Sequence, residues 1–291
     1  MYAQGKGSCS PVPRLRRSSA FTLVELLVVV SVTGVLLALL LPGLRGARET
    51  GRQTVCASNV RQLQLANGLY ADDHQDHFAP GAADFIHDLH RWHGSRQSAS
   101  DPFRPEGGAL TEYLGGSAGT SRAVRACPSF AGTIDLLAEA EAGFERSSGG
   151  YGYNNAYVGV RRHRVGSTWN VSDDRRGSGE HRFQRPWQTI AFADSALAAG
   201  GPAGTVEYSF AEPRFWPDRP RWRTDPSIHF RHAARRGDSH AARANIVWLD
   251  GHVSSEGRTF TWTSGVYRVD PGPLGLGWPG EHDTNELFDY E

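Results

Sequence analysis

The chain has 291 residues, 31 of them basic and 31 acidic, so its formal charge at neutral pH is zero. That balance removes the electrostatic case for a nucleic-acid partner, and the length accommodates one good-sized domain plus extra segments, or two small ones. The 30 arginines stand against a single lysine, Lys6; the skew reads as genomic codon bias rather than as a phosphate-binding surface.

Residues 1–20 form a leader carrying Lys6, Arg14, Arg16 and Arg17 and no acid. An unbroken apolar run follows from Phe21 to Leu41. As a helix it reaches about 31 Å, close to the thickness of a bilayer's hydrocarbon core. No second run of this kind occurs, so residues 21–42 are expected to cross a membrane once. The positive-inside rule then keeps the N-terminus in the cytoplasm and exports everything after Pro42. An ordinary secretory signal fits poorly. The run exceeds the usual apolar length of about 7–15 residues, and no A-x-A-like site closes it. Glu25 is the anomaly, because a carboxylate in hydrocarbon costs roughly 2.5–3.5 kcal/mol at a helix centre.

Residues 43–76 continue as an amphipathic helix. Cys56, Val60, Leu63, Asn67 and Tyr70 recur at spacings of three and four, with Arg61, Gln62 and Gln64 on other faces. Of the three cysteines, Cys9 lies in the leader, while Cys56 and Cys127 fall on the exported side, where disulfides persist. A Cys56–Cys127 bridge and two buried thiols are the alternatives there.

Residues 77–291 read as a loop-rich exported domain, in keeping with 34 glycines and 16 prolines in the chain. Short helices are expected at "AADFIHDLHRW" and "ALTEYL". Strands are expected at "TIAFADS", "TVEYSF", "SIHFRH", "ANIVWL", "HVSSE" and "TFTWTSGVYRV". Asp250-Gly251, between two strand-like runs, predicts a two-residue hairpin with a type I′ turn. The class implied is α+β, an antiparallel sheet packed on the long N-terminal helix. On a helix, His87, His90 and His93 of "HDLHRWH" would share a face, but without a catalytic glutamate motif a solvated face is the better reading. Asp72, Asp73 and Asp76 lack the glycine and terminal glutamate of a calcium loop. The eight tryptophans are scattered, which favours packing over a sugar platform. There is no G-x-S-x-G, phosphate loop or CxxC pair, so the case for an enzyme is poor.

The stretch "SSAFTLVELLVVVSVTGVLLALLLPG" resembles the N-terminal signal of type IV prepilins and type II secretion pseudopilins. The resemblance implies cleavage between Ala20 and Phe21 by a prepilin peptidase, which also methylates the new N-terminal Phe21. The family usually has glycine before the cut, where this chain has Ala20. Glu25 takes the place of the family's near-universal glutamate, and Pro42 that of its helix-kinking proline. The family model pairs that glutamate with the freed amine of a neighbouring subunit, so Phe21, Glu25 and Pro42 become assembly residues. Further on, "CASNVRQLQLANGLYADD" is similar to a bacterial pseudopilin-like subgroup. His240, Asp250 and Gly251 match a His-x9-Asp-Gly signature of one prepilin subgroup, a signature without a settled role, and "RACPS", "GYGYN" and "AFADS" are weaker echoes.

These readings imply a structural subunit of a type II secretion pseudopilus or type IV pilus-like fibre. It would reside in the inner membrane, with its large domain periplasmic or extracellular. Its partners would be the prepilin peptidase and N-methyltransferase, other pilin or pseudopilin subunits, and membrane lipid, with no nucleic acid. The alternative is a membrane-anchored enzyme or binding module with a metal site at His240, Asp250 and His252, helped by His229 or His232. No cofactor is required. Calcium, near the acidic tail "EHDTNELFDYE", and a transition metal are the open alternatives.

Overall fold

The computed structural model describes residues 21–116, 126–139, 145–199, 204–232, 241–263, 265 and 268–291. The chain divides into two units, Met1–Gly46 and Ala47–Glu291.

In the first unit the described residues belong almost wholly to helix α1, whose full extent is Leu23–Asp73. The helix is assigned without a break across Pro42. Its Val- and Leu-rich run is exposed along its length, Leu23 being 80% and Leu39 75% accessible. Among the described residues it is the one helix long and apolar enough to cross a membrane. A bilayer supplies the partner that such a surface needs.

In the second unit the rest of α1 buries one stripe. Cys56, Val60, Leu63, Ala66, Asn67 and Ala71 lie inside, while Arg61 and Gln62 face out. Gln64 departs from the sequence reading. It is buried, and its amide donates to the Leu249 carbonyl at 2.8 Å. The helix stops in a cap of Schellman type: Gln75 takes a φ of 60°, and the Asp76 N–H donates to the Ala71 carbonyl at 3.0 Å.

The stripe shares a core with a four-stranded antiparallel sheet built from β1 (Tyr151–Tyr153), β4 (Ile190–Asp194), β5 (Arg243–Trp248) and β6 (Val253–Gly257). Its order is β6-β5-β4-β1. Every residue of β4 is buried, which explains its unbroken apolar text before Asp194. Polar residues of α1 stitch helix to sheet. Asn59 donates to the Tyr151 hydroxyl at 3.1 Å, and the Tyr153 hydroxyl lies 3.3 Å from Asn67 Oδ1. Asn245 donates to the Gln53 carbonyl at 3.3 Å. A separate hairpin, β2 (Arg161–Val165) with β3 (Thr168–Asp173), stands outside this sheet. A second helix, α2, spans Ala131–Glu139 and was not anticipated.

The α+β class expected from the sequence is the one observed, with several local corrections. "AADFIHDLHRW" forms turns and a two-residue strand at His90–Arg91, and "ALTEYL" yields one 3-10 turn at Glu112–Leu114. "TVEYSF" and "SIHFRH" shrink to the pairs Thr205–Val206 and Ile228–His229. The described part of "TFTWTSGVYRV" holds no strand beyond an isolated bridge from Phe260 to Trp278. Its aromatic rings pack instead: Trp262 stacks on the fully buried Trp278 with centroids 4.1 Å apart. β-type composition therefore marked residues that fill space rather than residues that join a ladder.

Candidate functional site

Of the expected processing pair, Ala20 lies outside the described residues and Phe21 is described, 70% exposed at the start of the first unit. The chain enters α1 through Thr22, which with Glu25 completes a T-x-x-E capping box. Glu25 Oε2 accepts from both the backbone N–H and the hydroxyl of Thr22 at 2.8 Å. The Thr22 hydroxyl in turn accepts from the Glu25 N–H at 3.3 Å. Two donors that a helix start leaves unpaired are thus satisfied reciprocally. Within one chain, therefore, the acid already has a role. It closes the first turn, where the helix dipole also favours negative charge. The "T-L-V-E" spacing carries this signal in the sequence, beside the charge of Glu25.

Cys56 of α1 and Cys127, 71 positions apart in sequence, are joined in a disulfide with their Cα atoms 5.3 Å apart. Both residues are fully buried. Against the bridge lies an ionic centre that sequence reading only touched. His232 Nε2 is 3.9 Å from Cys127 Sγ and 3.0 Å from Asp194 Oδ2. Its other nitrogen faces Glu49 Oε1 at 3.5 Å, and Ser129 Oγ donates to the same oxygen at 2.8 Å. Asp194, at the end of β4, also binds Arg231 Nη2 at 2.7 Å and accepts the Asn245 N–H at 2.7 Å. Burial pushes the Asp194 carboxyl up, but Arg231, His232 and the Asn245 N–H outweigh it and hold the group below the usual carboxylate range. His229, packed edge-on against Phe130 and 3.1 Å from Arg231 Nη1, is pushed down to about 3 by burial and by that guanidinium.

Cys56, Cys127, Asp194 and His232 place ligand-type atoms within 4.8 Å of one another. With the two sulfurs bonded to each other, neither is a thiolate, and the cluster is a covalent and ionic knot joining α1, the Cys127 loop and β4. One textual signal existed: an aspartate closing an otherwise apolar strand, "IAFAD", with "HFRH" able to supply its cation.

The His-x9-Asp-Gly signature is only partly described, because His240 lies outside the described residues. Asp250, Gly251 and His252 form the turn between β5 and β6. Asp250 Oδ1 accepts from the His252 backbone at 3.1 Å and contacts His252 Nδ1 at 2.7 Å. The imidazole stacks on Trp248 with centroids 5.6 Å apart. Both members of the Asp250–His252 pair are exposed, whereas His232 is buried beside Asp194. The turn itself differs from the expected type I′. The Gly251 N–H donates to the Trp248 carbonyl at 2.9 Å, so Leu249 and Asp250 are the central residues. Of these neighbours only Gly251 takes a positive φ, +88°. The result is a type I turn followed by a left-handed glycine. Leu249 is held inward by its N–H to the Thr189 carbonyl at 2.9 Å, and this adds the extra residue.

The remaining candidates disperse. His87 and His90 are exposed, and His93 is buried with Nε2 2.8 Å from Ser209 Oγ. No helix forms there to align them. Asp73 accepts from the Tyr113 hydroxyl at 3.0 Å. In the acidic tail, Asp283 pairs with Arg223 at 2.7 Å and Glu286 with His282 at 2.9 Å. Elsewhere, Tyr208 donates to the buried Glu212 at 2.7 Å, and desolvation raises that carboxyl to about 7.

Comparison with known proteins bears on the N-terminus. Residues 15–41 match the family model described as the prokaryotic N-terminal methylation motif. The type II secretion system core protein G of Aeromonas hydrophila is 38% identical over 58 residues, which are 20% of this chain and 41% of that protein. The chain thus spans about two fifths of the length of that curated relative. No solved structure matches.

Proposed function

We propose, from the premise that this chain begins with a prepilin-type methylation motif, that it is a structural pseudopilin- or pilin-like subunit with a non-catalytic role. The observation that carries the reading is the match over residues 15–41. The exposed apolar helix beginning at Leu23 and the secretion-system relative support it. The prepilin peptidase cleaves between Ala20 and Phe21 and methylates the new amine. The helix roots the subunit in the inner membrane, with the N-terminus cytoplasmic before cleavage and the disulfide-bonded domain on the other side. Subunits associate through their apolar helices into a pseudopilus or pilus-like fibre.

The physical logic of Glu25 follows. In one chain the carboxylate caps its own helix. In a fibre the methylated amine of Phe21 on a neighbour offers a cation, and the acid loses its burial cost only when the two subunits are in axial register. A metal at His240, Asp250 and His252 is not needed for this role.

N-terminal mass spectrometry of the membrane fraction tests the proposal. The expected product begins at Phe21 and carries one methyl group, with residues 1–20 absent. A mature chain that retains residues 1–20 would overturn it.

A further inference from the structure

The chain's charge is balanced overall but not locally. The hairpin β2–β3 and the segment after it line a cleft of about 1010 Å³ whose walls carry five arginines and three histidines against one acid, Asp173. From the cleft we infer a binding site for an acidic polysaccharide, one bearing carboxylate or sulfate groups at short intervals along a hydroxylated chain.

Some of the arginines are structural and hold the walls in place. Arg162 is buried and donates to the Trp169 carbonyl at 2.8 Å, and Arg182 donates to the Arg162 carbonyl at 2.5 Å. Arg164 shares an exposed pair with Glu291 at 2.8 Å, a contact of little energetic weight in water. Arg161 and Arg176 are different. Their backbones are tied, the Arg161 N–H donating to the Arg176 carbonyl at 2.9 Å. Both side chains are exposed, and neither has an ion pair or side-chain hydrogen bond among the described residues. Two guanidiniums without a carboxylate partner among the described residues, both lining one cleft, leave two cationic forks open to an anion. Guanidinium forks suit carboxylate and sulfate because two parallel N–H bonds match two oxygens.

The rest of the lining selects among anions. Trp169 is flanked by the guanidinium carbons of Arg164 at 5.5 Å and Arg182 at 5.7 Å from its ring centroid, and Tyr290 meets it at 4.7 Å. The indole is thereby occupied and is not an open platform for stacked bases, the feature that single-stranded nucleic-acid channels rely on. The exposed imidazoles of His163 and His181 add hydrogen-bonding groups to the lining, and the Ser172 hydroxyl, which donates to the Arg161 carbonyl at 3.0 Å, keeps its oxygen as an acceptor. A ligand with hydroxyls between its anionic groups uses both sets, which a fatty or purely phosphate ligand does not. The volume suits a short oligosaccharide segment rather than a duplex.

The test uses the full chain in detergent micelles and isothermal titration calorimetry with three probes: a heparin oligosaccharide, a polygalacturonate oligomer and a fifteen-residue oligothymidylate. The expected result is saturable binding of heparin, polygalacturonate or both, with the oligothymidylate bound at least tenfold more weakly. Arg161→Ala with Arg176→Ala should weaken glycan binding by about tenfold or more. Arg219→Ala with Arg221→Ala, on an exposed strand outside the cleft lining, should change it less than twofold. All four positions are exposed, and circular dichroism checks that the fold is kept. The proposal is overturned if neither glycan binds, if the oligothymidylate binds more tightly, or if the two double variants lose affinity equally.

Discussion

Replacing Asp194 by asparagine is the most direct probe of the buried centre. The side chain is fully buried and accepts from Arg231, His232 and the Asn245 N–H. An amide of the same shape keeps one acceptor oxygen, but its NH2 must face one of those three donors. Arg231, with 6% of its side chain exposed, then keeps its charge without the carboxylate it pairs with. Breaking a buried pair from one side costs about 3–5 kcal/mol. For a unit the size of Ala47–Glu291, each kcal/mol moves the midpoint by about 2–4 °C, so a fall of about 6–20 °C is expected. Thermal unfolding of the full chain in detergent, followed by near-ultraviolet circular dichroism, provides the reading. Adding Arg231→Met should recover part of the loss, because the orphaned charge goes with it. The pH dependence has a definite sign as well. The folded carboxyl sits below its unfolded value near 3.9, so its stabilisation is complete above that value and is lost as pH falls through the folded one. A midpoint shift under about 3 °C, or strictly additive effects of the two substitutions, would refute the reasoning.

Glu212 has the opposite dependence. It ionises at about 7 in the fold against about 4.3 unfolded, so the native state binds more protons between those values and loses stability as pH rises across them. Glu212→Gln, which keeps an acceptor for Tyr208, should therefore raise the midpoint at pH 8 and leave it unchanged near pH 4. His229, at about 3, pulls the other way below pH 6.5, so the difference between variant and parent is the informative quantity. Cys56→Ser with Cys127→Ser should cost about 4 kcal/mol on a chain-entropy basis, read as a lowered midpoint. The parent should show no free thiol at these two positions on alkylation and mass spectrometry. Gly251→Ala meets no atom within 4 Å, so its cost should be the left-handed backbone alone, about 1–2 kcal/mol. Glu25→Gln separates two roles in a co-assembly assay. The amide oxygen can still cap Thr22, so assembly as poor as that of Glu25→Ala assigns the function to charge, and wild-type assembly would assign it to the cap.

How much of this was legible follows from the range of the interactions. The membrane-type run, the "T-L-V-E" helix start and the three-four stripe on α1 depend on neighbours within a turn or two, and text carries such spacing. β4 and β5 were legible because both their faces are largely covered, so apolar residues run consecutively through most of each strand. "TFTWTSGVYRV" has the same residue types but spends them on ring packing, and no local pattern separates the two uses. The turn at Gly251 was misjudged by one residue, because Leu249 is drawn inward by Thr189 and Gln64, both remote in sequence.

The candidate sites divide in the same way. Sequence alone determined the N-terminal motif and its glutamate, since a linear signal must be readable from a linear segment. It also supplied two cysteines suited to one bridge. Only the tertiary structure brought Asp194, Arg231 and His232 against that bridge, from segments nearly forty residues apart. Only the tertiary structure turned a skew in arginine usage into a cleft, because charges scattered along a neutral chain become a field when folding sets them on one wall.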